Sequence, residues 1–460
     1  MLLVVVSRFQ QALNRQRAAP ELGLTRGVGL GSNAPPVLAF TTVALGGFRG
    51  LIANALWIRA NDLQQDGKYF EMVQLADWIT KLEPTLTQVW TVQAWNMAYN
   101  ISVKFPNKYD RWRWVQRGIE LLRDDGLRYN PREALMYREL AWFFQHKMGQ
   151  NMDEAHMTYK EEWAKQMTNV LGSGRPNFNE LINPSTEEAR ARAERLRQQY
   201  KMDPRIMKTV DDLYGPLEWR LPEAHAIYWA QVGLTESKKK ELITLRRVVY
   251  QSMQMSVMHG RVLSMSPFRL GPDLTKVAQA NAAFELMIHD DTEMQDAIKR
   301  AHRNFLKEAI YVLYSNNKIA DASRWFKHVR ELYPDAVPPE EGLDEFALKR
   351  LNAVVEELSR DKTEALITGM VRNYYLNLIL DDDDRALGYE LFARKLWSRY
   401  AERIKGQEQR LSLTPLSKIK EVVRDEFFDP KSGVPPEALA RLRTKLNLPA
   451  PAAEDVTAKR

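Results

Sequence analysis

The chain has no cysteine in 460 residues. Disulfides, thiolate metal sites and cysteine nucleophiles are therefore excluded. That absence suits the cytoplasm and a cell-envelope protein equally well. Glycine and proline are sparse, 22 of each, which disfavours an all-β fold full of tight turns. No window sustains period-two alternation of apolar and polar residues, so almost no sheet is expected. Charged residues make up 27%, too many for a polytopic membrane protein. The basic excess is small, +7 from 66 basic and 59 acidic residues, and makes nucleic acid an unlikely partner.

Two stretches separated by 250 residues carry the same punctuation. They are GKYFEMVQLADWITKLEP from Gly67 to Pro84 and NKIADASRWFKHVRELYP from Asn317 to Pro334. Each opens on a turn residue followed by Lys, runs on with apolar residues at helical spacing, and closes on Leu-x-Pro. Counted back from Pro84, a first helix holds Leu56 and Leu63, a turn falls at Asp66-Gly67-Lys68, and a second helix aligns Met72, Ala76 and Ile79. Counted back from Pro334, Leu306, Ala309, Ile310 and Leu313 lie in the first helix. Asn316-Asn317-Lys318 makes the turn, and Ala322, Phe326 and Val329 line the second helix. Proline ends such a helix because its ring cannot continue the hydrogen-bond ladder, and small residues let two helix axes approach.

This pattern resembles the tetratricopeptide repeat (TPR), a helix-turn-helix unit of about 34 residues. The unit ending at Pro334 matches it better. The unit ending at Pro84 departs from it, with Met72 at the usual Ala position and Ala76 at the aromatic one. A further unit opens with TQVWTVQAWNMAYNI, which places Trp90, Ala94 and Met97, and continues in RWRWVQRGIELLRDDGLRYNP. There Pro131 falls 47 residues after Pro84, longer than the unit. A third opens with ALMYRELAWFFQHKMG, with Tyr137, Leu140, Ala141 and Phe144 in helix A, and MDEAHMTYKEEWAKQM as helix B. The fold class expected is all-α, a TPR-like superhelical array of α-α hairpins, divergent in sequence and of a bacterial-type membrane-anchored kind.

Arg8, Arg15, Arg17 and Arg26 oppose one acid, Glu21, in the first 26 residues, and residues 27–48 carry no charge. A positive flank before an apolar run places the N-terminus in the cytoplasm and the array across the membrane. The alternative is a short buried helix over 37–45 that caps a cytoplasmic array. The organisation is then a basic segment over 1–36 and an apolar membrane anchor over 37–58 that merges into the first repeat helix. Hairpins follow over 53–171. A charged linker helix and a long hairpin span 172–300, a TPR-like unit 301–334 and further hairpins 340–412. Short helices and a disordered tail complete 413–460. Ser185 with Glu188 suits a capping box. Pro222 and Gly260 bound the long hairpin.

No catalytic constellation stands out. The seven histidines, at 146, 156, 225, 259, 289, 302 and 328, show no metal spacing and read as packing or surface residues. Asp381 to Asp384 lack the alternating acids and glycine of a calcium loop and read as caps for a helix near Arg385. No cofactor and no metal is expected. Trp112 and Trp114, interleaved with arginines, suit stacking on bases or saccharides, but a helix turns them about 200° apart, so one face belongs to the core.

In proteins that it resembles, the concave groove is lined by the first helix of each hairpin and holds a partner's peptide. Carried over, that groove presents Trp57, Asn61, Trp95, Arg138, Trp142, Lys307 and Tyr311. Capture of a C-terminal carboxylate is not expected, because Asn61 fills one place of the family's carboxylate clamp and Trp57 replaces its Lys. The function implied is a scaffold or adaptor for a protein or peptide partner, held to the lipid bilayer by the N-terminal helix. The alternatives are an array that binds nucleic acid or glycan, and an enzyme with an unrecognised site, which a buried carboxylate pair or His–acid pair in a cleft would favour. Nothing in the sequence fixes the oligomeric state.

Overall fold

The computed structural model describes residues 49–237, 242–266, 268–349, 360–405, 412–429 and 432–449. The basic segment 1–36, residues 37–48 of the apolar stretch, the lysine run after Ser237 and the tail from 450 lie outside the described residues. Those described are all-α apart from one short β-hairpin. They fall into two units, one ending at Glu139 and one starting at Leu140.

The first unit opens with α1 (Arg49–Gln65) and α2 (Tyr69–Leu82), an antiparallel hairpin. Ala53, Ala60 and Leu63 of α1 meet Met72, Ala76 and Ile79 of α2, and Val89 closes the cluster. The three-residue turn has Gly67 at φ +72°. The Lys68 amide donates to the Leu63 carbonyl at 2.8 Å and the Gly67 amide to Gln64 at 3.1 Å, the paired bonds of a Schellman cap. α1 holds half of the predicted anchor, and Leu51 and Ile58 are exposed on it. Among the described residues no helix is long and apolar enough to cross a membrane.

α3 (Thr87–Trp95) runs into a π-helical segment, Asn96–Ile101, and α4 (Lys108–Glu120) into another, Leu121–Gly126. α4 packs on the first of these. The Asn107 side chain caps α4 by accepting from the Tyr109 amide at 2.8 Å. The Pro84 carbonyl is held from two sides, by Trp90 Nε1 at 2.8 Å and Asn130 Nδ2 at 2.9 Å. Proline's ring stops the helix, and these two donors satisfy the carbonyl it leaves behind.

α5 (Ala134–Trp142) contains the boundary between the units, and a third π segment, Phe143–Gly149, follows it. The second unit continues with α6 (His156–Leu171), α7 (Phe178–Ile182), α8 (Glu187–Gln198), α9 (Pro204–Tyr214), α10 (Pro222–Glu236) and α11 (Leu242–His259). Pro222 and Gly260 bound the α10–α11 hairpin as expected. The cap of α8 differs from expectation by one residue: Thr186 Oγ1 accepts from the Ala189 amide at 3.1 Å, while Ser185 is turned to Glu180. α8 buries Ala189, Ala193 and Leu196 despite its charge.

β1 (Arg261–Met265) and β2 (Phe268–Gly271) pair antiparallel. Then come α12 (Val277–Asp290), α13 (Gln295–Ser315) and α14 (Ile319–Leu332). α13 runs unbroken from Gln295 to Ser315, with no proline or glycine to interrupt it. α15 (Arg360–Ile379), α16 (Asp383–Arg403), α17 (Leu416–Phe428) and α18 (Pro436–Lys445) share a core around Ile367, Val371, Ala393 and Leu396.

The turns of α1–α2, α13–α14 and α15–α16 have the same geometry. Asn317 stands at φ +60° and Asp381 at φ +64°. The Lys318 amide reaches Leu313 at 2.9 Å and the Asp382 amide Asn377 at 3.0 Å, and the residues at the left-handed position donate to Tyr314 and Leu378. For the first two hairpins the likeness extends 250 residues apart through the whole second helix. Met72, Ala76 and Ile79 correspond to Ala322, Phe326 and Val329, all buried. Glu83 (φ −129°, ψ 69°) and Tyr333 (φ −133°, ψ 75°) end the helices in the same way.

The Asp381–Asp384 run does not act as a set of side-chain caps near Arg385. The helix starts at Asp383 with no side-chain cap, and the carboxylates pair with bases instead. Asp382 meets Arg261 at 3.0 Å, Asp384 meets Lys318 at 2.6 Å, and Asp381 and Asp383 share Lys445.

Candidate functional site

Two grooves stand out, one in each unit, each of about 580 Å³.

The groove of the second unit is built on α13. Asn304, Lys307, Glu308 and Tyr311 follow one another at i, i+3, i+4 and i+7, so they share one face. The opposite wall is the chain after α14, with Ala336, Pro338 and Glu341, then Phe346 and Lys349 from a helical turn at 343–349. Lys307 Nζ donates to the Ala336 carbonyl at 3.3 Å and steadies that wall. Arg330 donates to the carbonyls of Pro338 and Pro339 at 3.0 and 3.2 Å and also to that of Glu341. Glu341 is buried and ion-paired with Lys349 at 3.1 Å. Tyr311 lies half-buried with its ring 5.9 Å from Phe392 of α16.

The groove of the first unit lies between the second helices of its two hairpins. Phe70, Val73, Gln74 and Asp77 come from one face of α2. Arg117, Glu120, Leu121, Asp124 and Asp125 come from α4 and its π extension, and Gln93 and Met97 form the floor. The π segment adds a residue to the turn and brings both Asp124 and Asp125 to the groove. Asp124 is fixed by Arg123, 2.6 and 2.8 Å from its two oxygens. Burial raises the Asp125 carboxyl above its ordinary range, Asp124 and Asp77 add to this, and Arg128 opposes it.

The residues predicted to line one groove are placed as follows. In the first unit, Trp57 is half-buried against the α1–α2 core and Asn61 is exposed. Trp95 stacks on Tyr99 with ring centroids 4.1 Å apart and donates from Nε1 to Glu139 at 2.7 Å. Arg138 pairs with the same carboxylate, so Trp95 and Arg138 are brought together. In the second unit, Trp142 stacks on His146 at 4.6 Å, and Lys307 and Tyr311 share the α13 groove. Sequence reasoning missed Asn304, Phe346 and Lys349 there, and the whole acidic groove of the first unit. The signal for the latter, Asp124-Asp125 before Gly126, is visible in the sequence but not its convergence with Asp77.

The two tryptophans considered for base stacking are engaged within the chain. Trp112 is buried, and Trp114 packs against Phe70 at 5.6 Å and Phe105 at 6.2 Å, with Arg117 over its face.

An interior polar network occupies the second unit. Glu223 of α10, 2% exposed, meets His259 Nε2 of α11 at 3.1 Å. Lys160 Nζ lies 2.9 Å from His156 Nδ1. Burial lowers the Lys160 ammonium to about 8 against the favourable pull of Glu223, and lowers His156 to about 4, with Lys160 adding to it. Lys147, Asp153 and Tyr159 form an adjoining buried triad, with Asp153 2.6 Å from the lysine and 2.9 Å from the phenol. Asp153 is bonded on both oxygens, whereas neither Glu223 oxygen accepts a well-aligned hydrogen bond and that carboxylate relies on the nearby Lys160 charge. Among the described residues no group of His, Cys, Asp and Glu side chains is arranged to hold a metal ion.

No family model matches the chain, and neither a curated protein nor a solved structure matches it.

Proposed function

We propose that this chain is a TPR-like helical scaffold that holds a protein partner, with the apolar segment 37–58 as its membrane anchor. The observation that carries the reading is the correspondence between α1–α2 and α13–α14. They agree in turn length, in the left-handed residue, in the Schellman bonds, in the buried positions of the second helix and in the dihedral angles of its end. A unit that recurs with this fidelity suits an array whose hairpins stack on their neighbours. The α13 groove supports the partner-binding half of the proposal. It offers an aromatic ring, a lysine and an asparagine on one rigid helix face, beside a wall whose carbonyls are already satisfied. Side chains of this kind give a peptide area and hydrogen bonds at small entropic cost.

The test has two arms. A photo-crosslinker in place of Tyr311 should yield a discrete adduct in cells. Lys307→Glu should abolish it, and the same crosslinker at exposed Met152 should not give it. Fractionation should leave the chain in membranes after alkaline wash, with a reporter inserted after Asp66 active only outside the cytoplasm. An adduct indifferent to Lys307→Glu would remove the groove from the proposal. A chain that washes off with a silent reporter would remove the anchor.

A further inference from the structure

The groove of the first unit is chemically unlike that of the second. Its polar lining is dominated by acceptors. Asp77, Glu120, Asp124 and Asp125 supply four carboxylates, and Gln93 supplies an amide oxygen. Gln93 is 2% exposed, and its Nε2 donates to the Val73 carbonyl at 3.3 Å. That bond fixes the amide, since the flipped form would oppose two oxygens. Gln93 Oε1 is thereby left buried, without a donor, in the lining of the groove. A buried acceptor with no partner in the chain keeps a hydrogen-bonding capacity that a ligand's donor can fill.

The charges around the groove are partly matched. Lys81 pairs with Asp77 at 2.6 Å, Arg123 with Asp124, and Gln116 donates to Glu120 at 2.8 Å. Arg117 lies over the Trp114 ring. Asp125 alone of the four carboxylates has neither a hydrogen bond nor an ion pair among the described residues. The apolar lining, Phe70, Val73, Met97 and Leu121, gives a donor-rich ligand a dry flank. Phe70 and Trp114 sit edge to face, 5.6 Å between centroids, so the aromatic surface is held in place.

We propose that this groove binds an arginine side chain presented by a peptide segment of a partner protein. A guanidinium carries five N–H donors in a planar fork. Its fork offers donors for both the Gln93 amide oxygen and the Asp125 carboxylate, which line the same groove, and it stacks on aromatic faces where an ammonium does not. An acidic ligand is excluded by the carboxylates. A purely apolar one leaves Gln93 Oε1 unpaired. This deepens the scaffold reading by naming a ligand chemistry, but it stands on a groove in the other unit from Tyr311. Failure here therefore leaves the crosslinking result at Tyr311 untouched.

The experiment is fluorescence anisotropy with the full chain and three labelled peptides that alternate Leu with Arg, Lys or Glu. The Arg peptide should bind, the Lys peptide about tenfold more weakly and the Glu peptide not at all. Asp125→Asn together with Asp77→Asn, both at the groove rim, should weaken the Arg peptide by about tenfold or more. Asp212→Asn, an exposed acid of α9 in the second unit, should leave it unchanged. Equal affinity for the Arg and Glu peptides overturns the proposal. So does binding indifferent to the rim substitutions, and a Lys peptide as tight as the Arg one overturns the guanidinium assignment. A photo-crosslinker at Gln74 supplies a second readout. An adduct with the Arg peptide supports the proposal, and a crosslink to residues 1–48 of the chain in place of the peptide overturns it.

Discussion

Protonating His302 should be among the strongest acid-sensitive events in the second unit. Its ring is fully buried between three elements. Nε2 donates to Asn281 Oδ1 of α12 at 2.8 Å, which leaves Nδ1 to accept from the Tyr333 hydroxyl at 2.9 Å. The ring also stacks on Phe284 at 5.1 Å. The neutral imidazole fills every bond available to it. A proton on Nδ1 would meet a buried site with no carboxylate partner and with His328 nearby. Burial first and His328 second lower His302 from 6.5 to about 4. The unfolded chain therefore binds a proton that the folded one refuses, between pH 6.5 and about 4. The stability from this group is fully present above 6.5 and is lost as pH falls through that window, a loss of about 3 kcal/mol. The perturbation to make is His302→Gln, which keeps an amide donor for Asn281 and cannot titrate. Urea midpoints of both chains at pH 7.5 and pH 4 give a double difference in which titrating groups not coupled to His302 cancel. The variant should start less stable and lose about 3 kcal/mol less than the parent on acidification. Equal losses in the two chains would refute the assignment of a neutral, fully bonded His302.

Other consequences can be read from melting curves. Gly388→Ala places a methyl 1.5 Å from the Ser315 carbonyl oxygen, where α16 crosses the end of α13, and should cost about 3 kcal/mol. Gly369→Ala in α15 meets nothing within 4 Å and should stabilise by about 0.5–1 kcal/mol; a pair of equal effects would disprove the close crossing. Gly67→Ala, at positive φ, should cost about 1 kcal/mol. Glu223→Gln should cost about 3 kcal/mol near neutral pH, because Lys160 loses its buried counter-charge; an unchanged melting temperature would show that Glu223 is not needed as a charge there.

Where two hairpins obey one rule, their sequences announced it. Gly67-Lys68 and Asn317-Lys318, followed by apolar residues four, eight and eleven positions after the lysine and a proline at the end, specify a turn and a helix length. Both elements have those bounds. The third such turn was not legible, because Asp381 fills the left-handed position and Asp382 the next, and a run of four aspartates reads as charge rather than as a turn. The π segments are invisible to any reading at 3.6 residues per turn, since each adds a residue and rotates the face beyond it by about 100°. That is why Asp124 and Asp125 were not placed with Asp77. The α13 groove was half legible: Lys307 and Tyr311 follow from helical spacing, whereas Phe346 and Lys349 come from a return of the chain that no local pattern encodes. The β-hairpin at Arg261–Gly271 is too short for its alternation to stand out, and the Thr186 cap differs from the expected one because two capping residue types stand side by side.

The three-residue turn also bears on how the chain acquires its structure. A helix, three residues and a returning helix form contacts that are close along the chain, so closing each hairpin costs little loop entropy. Proteins dominated by such local contacts fold quickly. As the chain leaves the ribosome, α1–α2 can close before α13 has been translated, and α13–α14 needs nothing from the first unit to find its partner helix. Synthesis is slow enough for this order, at about 5–20 residues per second. Each hairpin can then hide its apolar face soon after it emerges, which shortens the time in which a partly made chain of this length exposes surfaces that aggregate.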